Sequence, residues 1–134
     1  MSIALLWVTG ILWWFFDVYR GEMGPSVAQA WSLRAHGIFA MVGLVFFGSA
    51  LAVHVRIGWM LRGNRSLGVS FGGVLVLLAL SGCGLYYFSG DALRNATSWL
   101  HFIAGLVLPA FLIVHIVAGR AAARAAATHS IASH

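Results

Sequence analysis

Two apolar segments bounded by histidines decide the predicted fold: residues 101–115, HFIAGLVLPAFLIVH, and residues 36–54, HGIFAMVGLVFFGSALAVH. Neither contains a charged residue between its histidines. In an α-helix each residue advances about 100° and about 1.5 Å, so the histidines of the first segment lie within about 40° of one face and about 21 Å apart. Those of the second segment share a face about 27 Å apart. Each segment therefore predicts a membrane-crossing helix with a histidine near either end.

The composition predicts an all-α integral membrane protein. The chain has 134 residues, of which 61% are hydrophobic and 8% charged, whereas soluble domains carry about 25% charged residues. Apolar stretches predict four spans, at about 3–19, 34–56, 67–88 and 99–118. We expect a loop at 89–98, with Thr97 or Ser98 capping the fourth span. The predicted domains are a four-span bundle over residues 1–120 and a polar, alanine-rich tail over residues 121–134.

Arginines predict the orientation of this four-helix bundle. The second loop and the C-terminal tail are the basic segments, and four spans put both on one side of the membrane: Arg56, Arg62, Arg65, Arg120 and Arg124. Because basic loops stay in the cytoplasm, both termini are predicted to be cytoplasmic.

The four histidines predict two haem sites. With four spans, the second and fourth run in the same direction, which pairs His36 with His101 at the outer end and His54 with His115 at the inner end. Each pair can supply two axial imidazoles to one iron. The single cysteine, Cys83, and the lack of a C-x-x-C-H motif favour non-covalent haem b over haem c. The spacing of eighteen against fourteen predicts that the second span is tilted or bent, or that one site is displaced.

Arginines and glycines accompany these histidines. Arg34 and Arg56, each two residues from a histidine, lie where haem propionates would emerge, although arginines at span ends also simply anchor helices. The third span gathers glycines at two depths, which suits two haem levels and is explained equally well by tight helix packing. These glycines are Gly72, Gly73, Gly82 and Gly84.

Two other interpretations stay open. The histidines could make hydrogen bonds between the helices of a non-redox membrane anchor or assembly subunit. They could also line the path of a transition-metal transporter, although such proteins usually add carboxylates, thiolates or methionines. The arginines lie outside the spans and form no basic stripe, so no nucleic-acid partner is expected.

Five pieces of sequence carry a family resemblance. The segment 99–106 (WLHFIAGL), Pro109 and the segment 115–120 (HIVAGR) resemble the fourth helix of small bacterial four-helix cytochrome b subunits. Segments 33–37 (LRAHG) and 53–54 (VH) resemble a ligand-bearing second helix of that kind. Such di-haem subunits accompany hydrogenases, formate dehydrogenases and related complexes, and the resemblance covers about residues 30–120.

The resemblance implies a function as well as a fold. His36, His54, His101 and His115 would be axial ligands of two b haems in the bacterial inner membrane. The subunit would move electrons between the quinone pool and a partner redox protein, as part of an oxidoreductase complex rather than as a self-contained enzyme. The first span holds no histidine, so the ligands would follow the two-helix scheme of the cytochrome bc type.

Overall fold

The computed structural model describes residues 2–19, 24–51 and 65–132. Within these ranges the secondary structure is helical: α1 (Ser2–Tyr19), α2 (Val27–Ala50), α3 (Arg65–Tyr87) and α4 (Asp91–Ala132). The all-α prediction is confirmed. His54 and Arg56 lie outside the described residues.

Three of the helices are long and apolar enough to cross a membrane, namely α2, α3 and α4. They contain 24, 23 and 42 residues, and about 20 residues suffice for a bilayer. Helix α1 has 18 residues, which gives a length of about 27 Å, and it belongs to the shorter apolar class. A fourth span and the cytoplasmic termini stay predictions.

Helix α2 begins earlier than the charge pattern indicated. Its first residue is Val27, seven positions before the charged residue Arg34 that bounds the predicted span. The Ser26 hydroxyl accepts a hydrogen bond from the Gln29 backbone N–H at 3.1 Å. Ser26 is therefore the N-cap, a position where serine is among the preferred residues.

Helix α4 also begins earlier, so the predicted loop at 89–98 and its cap at Thr97 or Ser98 are wrong. The helix begins at Asp91, and the Thr97 hydroxyl donates to the Leu93 carbonyl at 2.8 Å inside it. An acidic residue in the first turn complements the positive end of the helix dipole, and the residues that follow it favour helix. At the other end, α4 continues to Ala132, so most of the predicted tail is helical.

The chain divides into two compact units, Met1–Ser49 and Ala50–His134. In the first, α1 contacts α2. In the second, α3 and α4 are joined by residues 88–90 and pack against each other in antiparallel order. Each unit supplies its own contacts to the histidines that it contains.

The buried side chains are mostly small or polar, whereas the large apolar side chains are exposed. Seven such residues each have less than a tenth of their surface exposed: Thr9, Gln29, Ser32, Ser81, Thr97, Ala104 and Leu108. Exposed large side chains occur on every helix, for example Phe15, Phe46, Leu80 and Ile113. This distribution reverses that of a water-soluble protein and is compatible with contact to a lipid bilayer.

Candidate functional site

His36 is held against α1 by its Nδ1 atom. This half-buried histidine on α2 has Nδ1 at 3.0 Å from the Leu6 carbonyl oxygen and at 3.2 Å from the Thr9 hydroxyl. A carbonyl oxygen can only accept, so the neutral ring carries its proton on Nδ1 and its lone pair on Nε2. The Thr9 hydroxyl lies 2.7 Å from the Leu5 carbonyl and donates there, which leaves Thr9 to accept from His36.

A glycine lets the His36 ring approach α1 this closely. A Cβ atom built on Gly10 would lie 3.3 Å from His36 Cε1 and 3.5 Å from Nδ1. The first distance is shorter than ordinary carbon–carbon contact. A larger residue at position 10 would therefore collide with the His36 ring where it now lies.

His101 repeats this arrangement in the second unit. Its Nδ1 atom lies 2.8 Å from the Ser81 hydroxyl of α3. That hydroxyl also lies 3.2 Å from the Leu78 carbonyl of its own helix. A hydroxyl can donate or accept, so the Ser81 contact suits either tautomer of the neutral His101 ring. Gly82 lies beside the ring, where an added Cβ would be 3.5 Å from Cε1.

His115 contacts α3 through an aromatic ring instead of a hydroxyl. Its imidazole stacks on Phe71 with a centroid distance of 5.4 Å and an interplanar angle of 11°. An added Cβ on Gly68 would lie 3.7 Å from His115 Cε1. His115 thus has a glycine beside it and a flat apolar neighbour that fixes the plane of its ring.

The register of α3 against α4 accounts for the two histidine positions. Gly82 faces His101, and Gly68 faces His115. The two glycines are fourteen residues apart on α3, and the two histidines are fourteen residues apart on α4. The antiparallel helices therefore stay in register over the whole distance between the two histidines, about 21 Å by helix rise. Both α4 histidines face α3. The prediction that they pair with the histidines of the second span stays a prediction.

The tight-packing interpretation of the glycines is supported at one depth and wrong at the other, and the two haem levels stay a prediction. Gly82 contacts a histidine, but a Cβ on Gly72 or Gly73 would meet nothing within 4 Å. Gly84 packs against Phe88 and Thr97 instead. Sequence reasoning missed Gly68, although its spacing of fourteen from Gly82 repeats the histidine spacing.

Sequence analysis also did not identify Thr9, Gly10 and Ser81 as neighbours of the histidines. A hydroxyl in an apolar helix is commonplace, because serine and threonine can bond to a carbonyl of their own helix. Both Thr9 and Ser81 do so. Their second contact, to a histidine on a neighbouring helix, depends on helix pairing, for which the sequence carries no local signal.

The arginine predicted to bind a propionate has an exposed position. The Arg34 guanidinium lies over the ring of Trp31, with its central carbon 5.1 Å from the ring centroid, a cation–π contact. Both residues lie in the first half of α2, close to His36 in sequence. The propionate role of Arg34 stays a prediction.

Removing the Ser81 hydroxyl tests the hydrogen bond to His101. Ser81 is 5% exposed, so Ser81→Ala takes a buried hydrogen-bond partner from His101 Nδ1. We expect the free energy of unfolding in mixed micelles to fall by about 1–3 kcal/mol. Ser49→Ala is the matched control, because Ser49 is exposed and bonds to the Val45 carbonyl of its own helix. Equal effects from the two variants would show that the His101 contact contributes nothing.

Within the described part of the chain, no three His, Cys, Asp or Glu side chains cluster closely enough to hold a metal ion. In comparisons with known proteins, the chain matches no family model, no curated protein and no solved structure.

Proposed function

We propose that this protein is a di-haem b-type cytochrome that transfers electrons across the bacterial inner membrane, between the quinone pool and a partner redox protein. The observation that carries the proposal is that two histidines are each hydrogen-bonded through Nδ1 to a neighbouring helix. His36 Nδ1 donates to the Leu6 carbonyl, so its neutral ring has its lone pair on Nε2. The same tautomer is part of the proposal for His101, whose Nδ1 is hydrogen-bonded to the Ser81 hydroxyl.

These contacts fit the requirements of an axial ligand. A histidine that binds a metal usually donates its other ring N–H to a carbonyl, carboxylate or water, which fixes the ring and raises its basicity. The Leu6 carbonyl serves His36 in this way, and the Ser81 hydroxyl serves His101. Because the porphyrin supplies four of the six iron ligands, two imidazoles per site are sufficient.

The pairing of ligands rests on span count and on the family resemblance. We propose that His36 pairs with His101 and that His54 pairs with His115. A bound haem would supply an iron that takes up and releases one electron at a time. The histidines would hold and orient that group, and two imidazole ligands per iron would favour electron transfer over oxygen chemistry. Arg34 and Arg56 are proposed to neutralise the propionates.

The remaining parts of the proposal concern partners and orientation. The four spans would leave little mass outside the bilayer, so the reactions at either end would involve quinone and a partner redox subunit. The chain would then be an electron-transfer subunit rather than a self-contained enzyme. The arginines of the second loop and tail favour a cytoplasmic location for both termini.

A second candidate is a non-redox membrane anchor, which the same contacts favour. The bonds from His36 and His101 join neighbouring helices, and interhelical hydrogen bonds stabilise membrane bundles. The two candidates differ in whether Nε2 binds iron, and the cofactor content therefore separates them.

The spectrum of the purified protein tests the proposal. We expect red protein with a b-type reduced-minus-oxidised spectrum and about two haems per chain. The control is the same protein from haem-deficient cells, which should be colourless. Colourless but folded protein from haem-replete cells would favour the anchor. Stoichiometric zinc or copper without haem would favour a metal transporter.

A further inference from the structure

The C-terminal part of α4 carries two exposed arginines beyond the apolar segment. Helix α4 has 42 residues and is therefore about 63 Å long, roughly twice the thickness of a bilayer hydrocarbon core. Arg120 and Arg124 are both exposed. They are one helical turn apart and therefore lie on the same side of the helix. By helix rise they lie about 8 Å and about 14 Å beyond His115.

Helix α3 adds a third arginine at the same end of the hairpin. Arg65 is the first residue of α3 and is exposed. It precedes Gly68, which faces His115, by three residues, or about 5 Å along the helix. The arginines of both helices therefore form one basic layer about 5 to 14 Å past the Gly68–His115 contact, at the same end of the hairpin.

This layer carries positive charge without acidic residues nearby in sequence. No Asp or Glu follows Asp91, which begins α4 at its opposite end, and none occurs between Glu22 and Asp91. The net charge of the α3–α4 hairpin therefore concentrates at the end that contains Arg65, Arg120 and Arg124. An anion that reached this end would meet three guanidinium groups and no competing carboxylate of the hairpin.

We propose that this end of the α3–α4 hairpin binds the phosphate groups of anionic phospholipids in preference to zwitterionic ones. Guanidinium groups bind phosphate through paired hydrogen bonds, and lipid phosphates lie where apolar helices leave the hydrocarbon. Zwitterionic headgroups bring a cation into the same layer, whereas anionic headgroups do not.

The composition of α4 at this end favours lipid over a protein partner. Between residues 121 and 127 every position except Arg124 is alanine. Aromatic side chains anchor many protein interfaces, and residues 121–127 contain none. The inference requires insertion in a membrane but no haem, so it stands or fails separately from the proposed cytochrome function.

Competition between two lipids tests the proposal. The full chain in a non-ionic detergent is mixed with equal amounts of phosphatidylglycerol and phosphatidylcholine, and retained lipids are counted by native mass spectrometry. We expect phosphatidylglycerol to be retained preferentially. Each of Arg120→Gln and Arg124→Gln should lower that preference about 5-fold. Replacing both arginines with lysine keeps the two positive charges and should preserve most of the preference for phosphatidylglycerol. This double variant is the control for correct folding of the altered helix.

Arg94→Gln is the matched control for lost charge. Arg94 is exposed near the opposite end of the hairpin, where its guanidinium donates to the Leu85 carbonyl at 2.8 Å. This variant should keep the lipid preference unchanged. The proposal is overturned if wild-type protein shows no preference, or if Arg94→Gln lowers it as much as Arg124→Gln does. It is also overturned if millimolar inorganic phosphate displaces the lipid, because the arginines would then bind phosphate alone.

Discussion

Replacing His101 with alanine is expected to lower the haem content of the purified protein from about two per chain to about one. The substitution removes one of the two proposed axial imidazoles of the outer site and leaves the proposed His54–His115 pair intact. The measurement is the pyridine haemochrome spectrum per mole of protein, accompanied by a redox titration. We expect a single redox transition to remain in place of two.

A histidine outside the spans provides the control for this substitution. His129 lies fourteen residues beyond His115, in the alanine-rich tail, and His129→Ala should keep both haems. If His101→Ala also keeps both haems, the proposed pairing is wrong. If His101→Ala loses both haems while Ser81→Ala keeps both, the two sites are not independent and the assignment of His101 to one site fails.

Gly10→Val is expected to displace the His36 ring. The new Cβ would lie 3.3 Å from His36 Cε1 and 3.5 Å from Nδ1, and the two added methyl groups would need further space. The ring must then move away from the Leu6 carbonyl. We expect the free energy of unfolding in mixed micelles to fall by about 1–3 kcal/mol, as is usual for overpacking. We also expect the haem proposed to bind His36 to be lost.

Gly37→Val separates the effect on the ring from the effect of a larger residue in a helix. Gly37 belongs to the same compact unit, and a Cβ there would meet nothing within 4 Å. This variant should change neither the unfolding free energy nor the haem content appreciably. Destabilisation by Gly10→Val with both haems retained would confirm the helix contact while excluding His36 as a ligand.

Much of the fold could be predicted because it depends on local composition. The uncharged stretches around His36 and between His101 and His115 predicted helices long enough to cross a membrane, and α2 and α4 have that length. The common face of His101 and His115 follows from a spacing of fourteen, and both rings contact α3. The start of α4 was misplaced because residues 89–98 were interpreted as a loop, although Ala92, Leu93, Arg94 and Ala96 among them favour helix.

The partners of the histidines could not be predicted, because these helices are apolar on every side. In a soluble protein the apolar stripe shows which face packs inward. In α1 and α3 apolar residues occur on every side, so no apolar stripe marks the face that meets the neighbouring helix. The roles of Gly10 and Ser81 therefore depend on which face of each helix meets its neighbour.

Helix content, helix length and the spacing of the histidines along each helix are determined by the sequence itself, because they follow from apolar composition and from 3.6 residues per turn. The hydrogen bonds that hold the His36 and His101 rings are not. They depend on a partner atom supplied by another helix, the Leu6 carbonyl oxygen for the first and the Ser81 hydroxyl for the second. Packing brings those atoms within hydrogen-bond distance, since glycines at the contact allow the helices to approach closely.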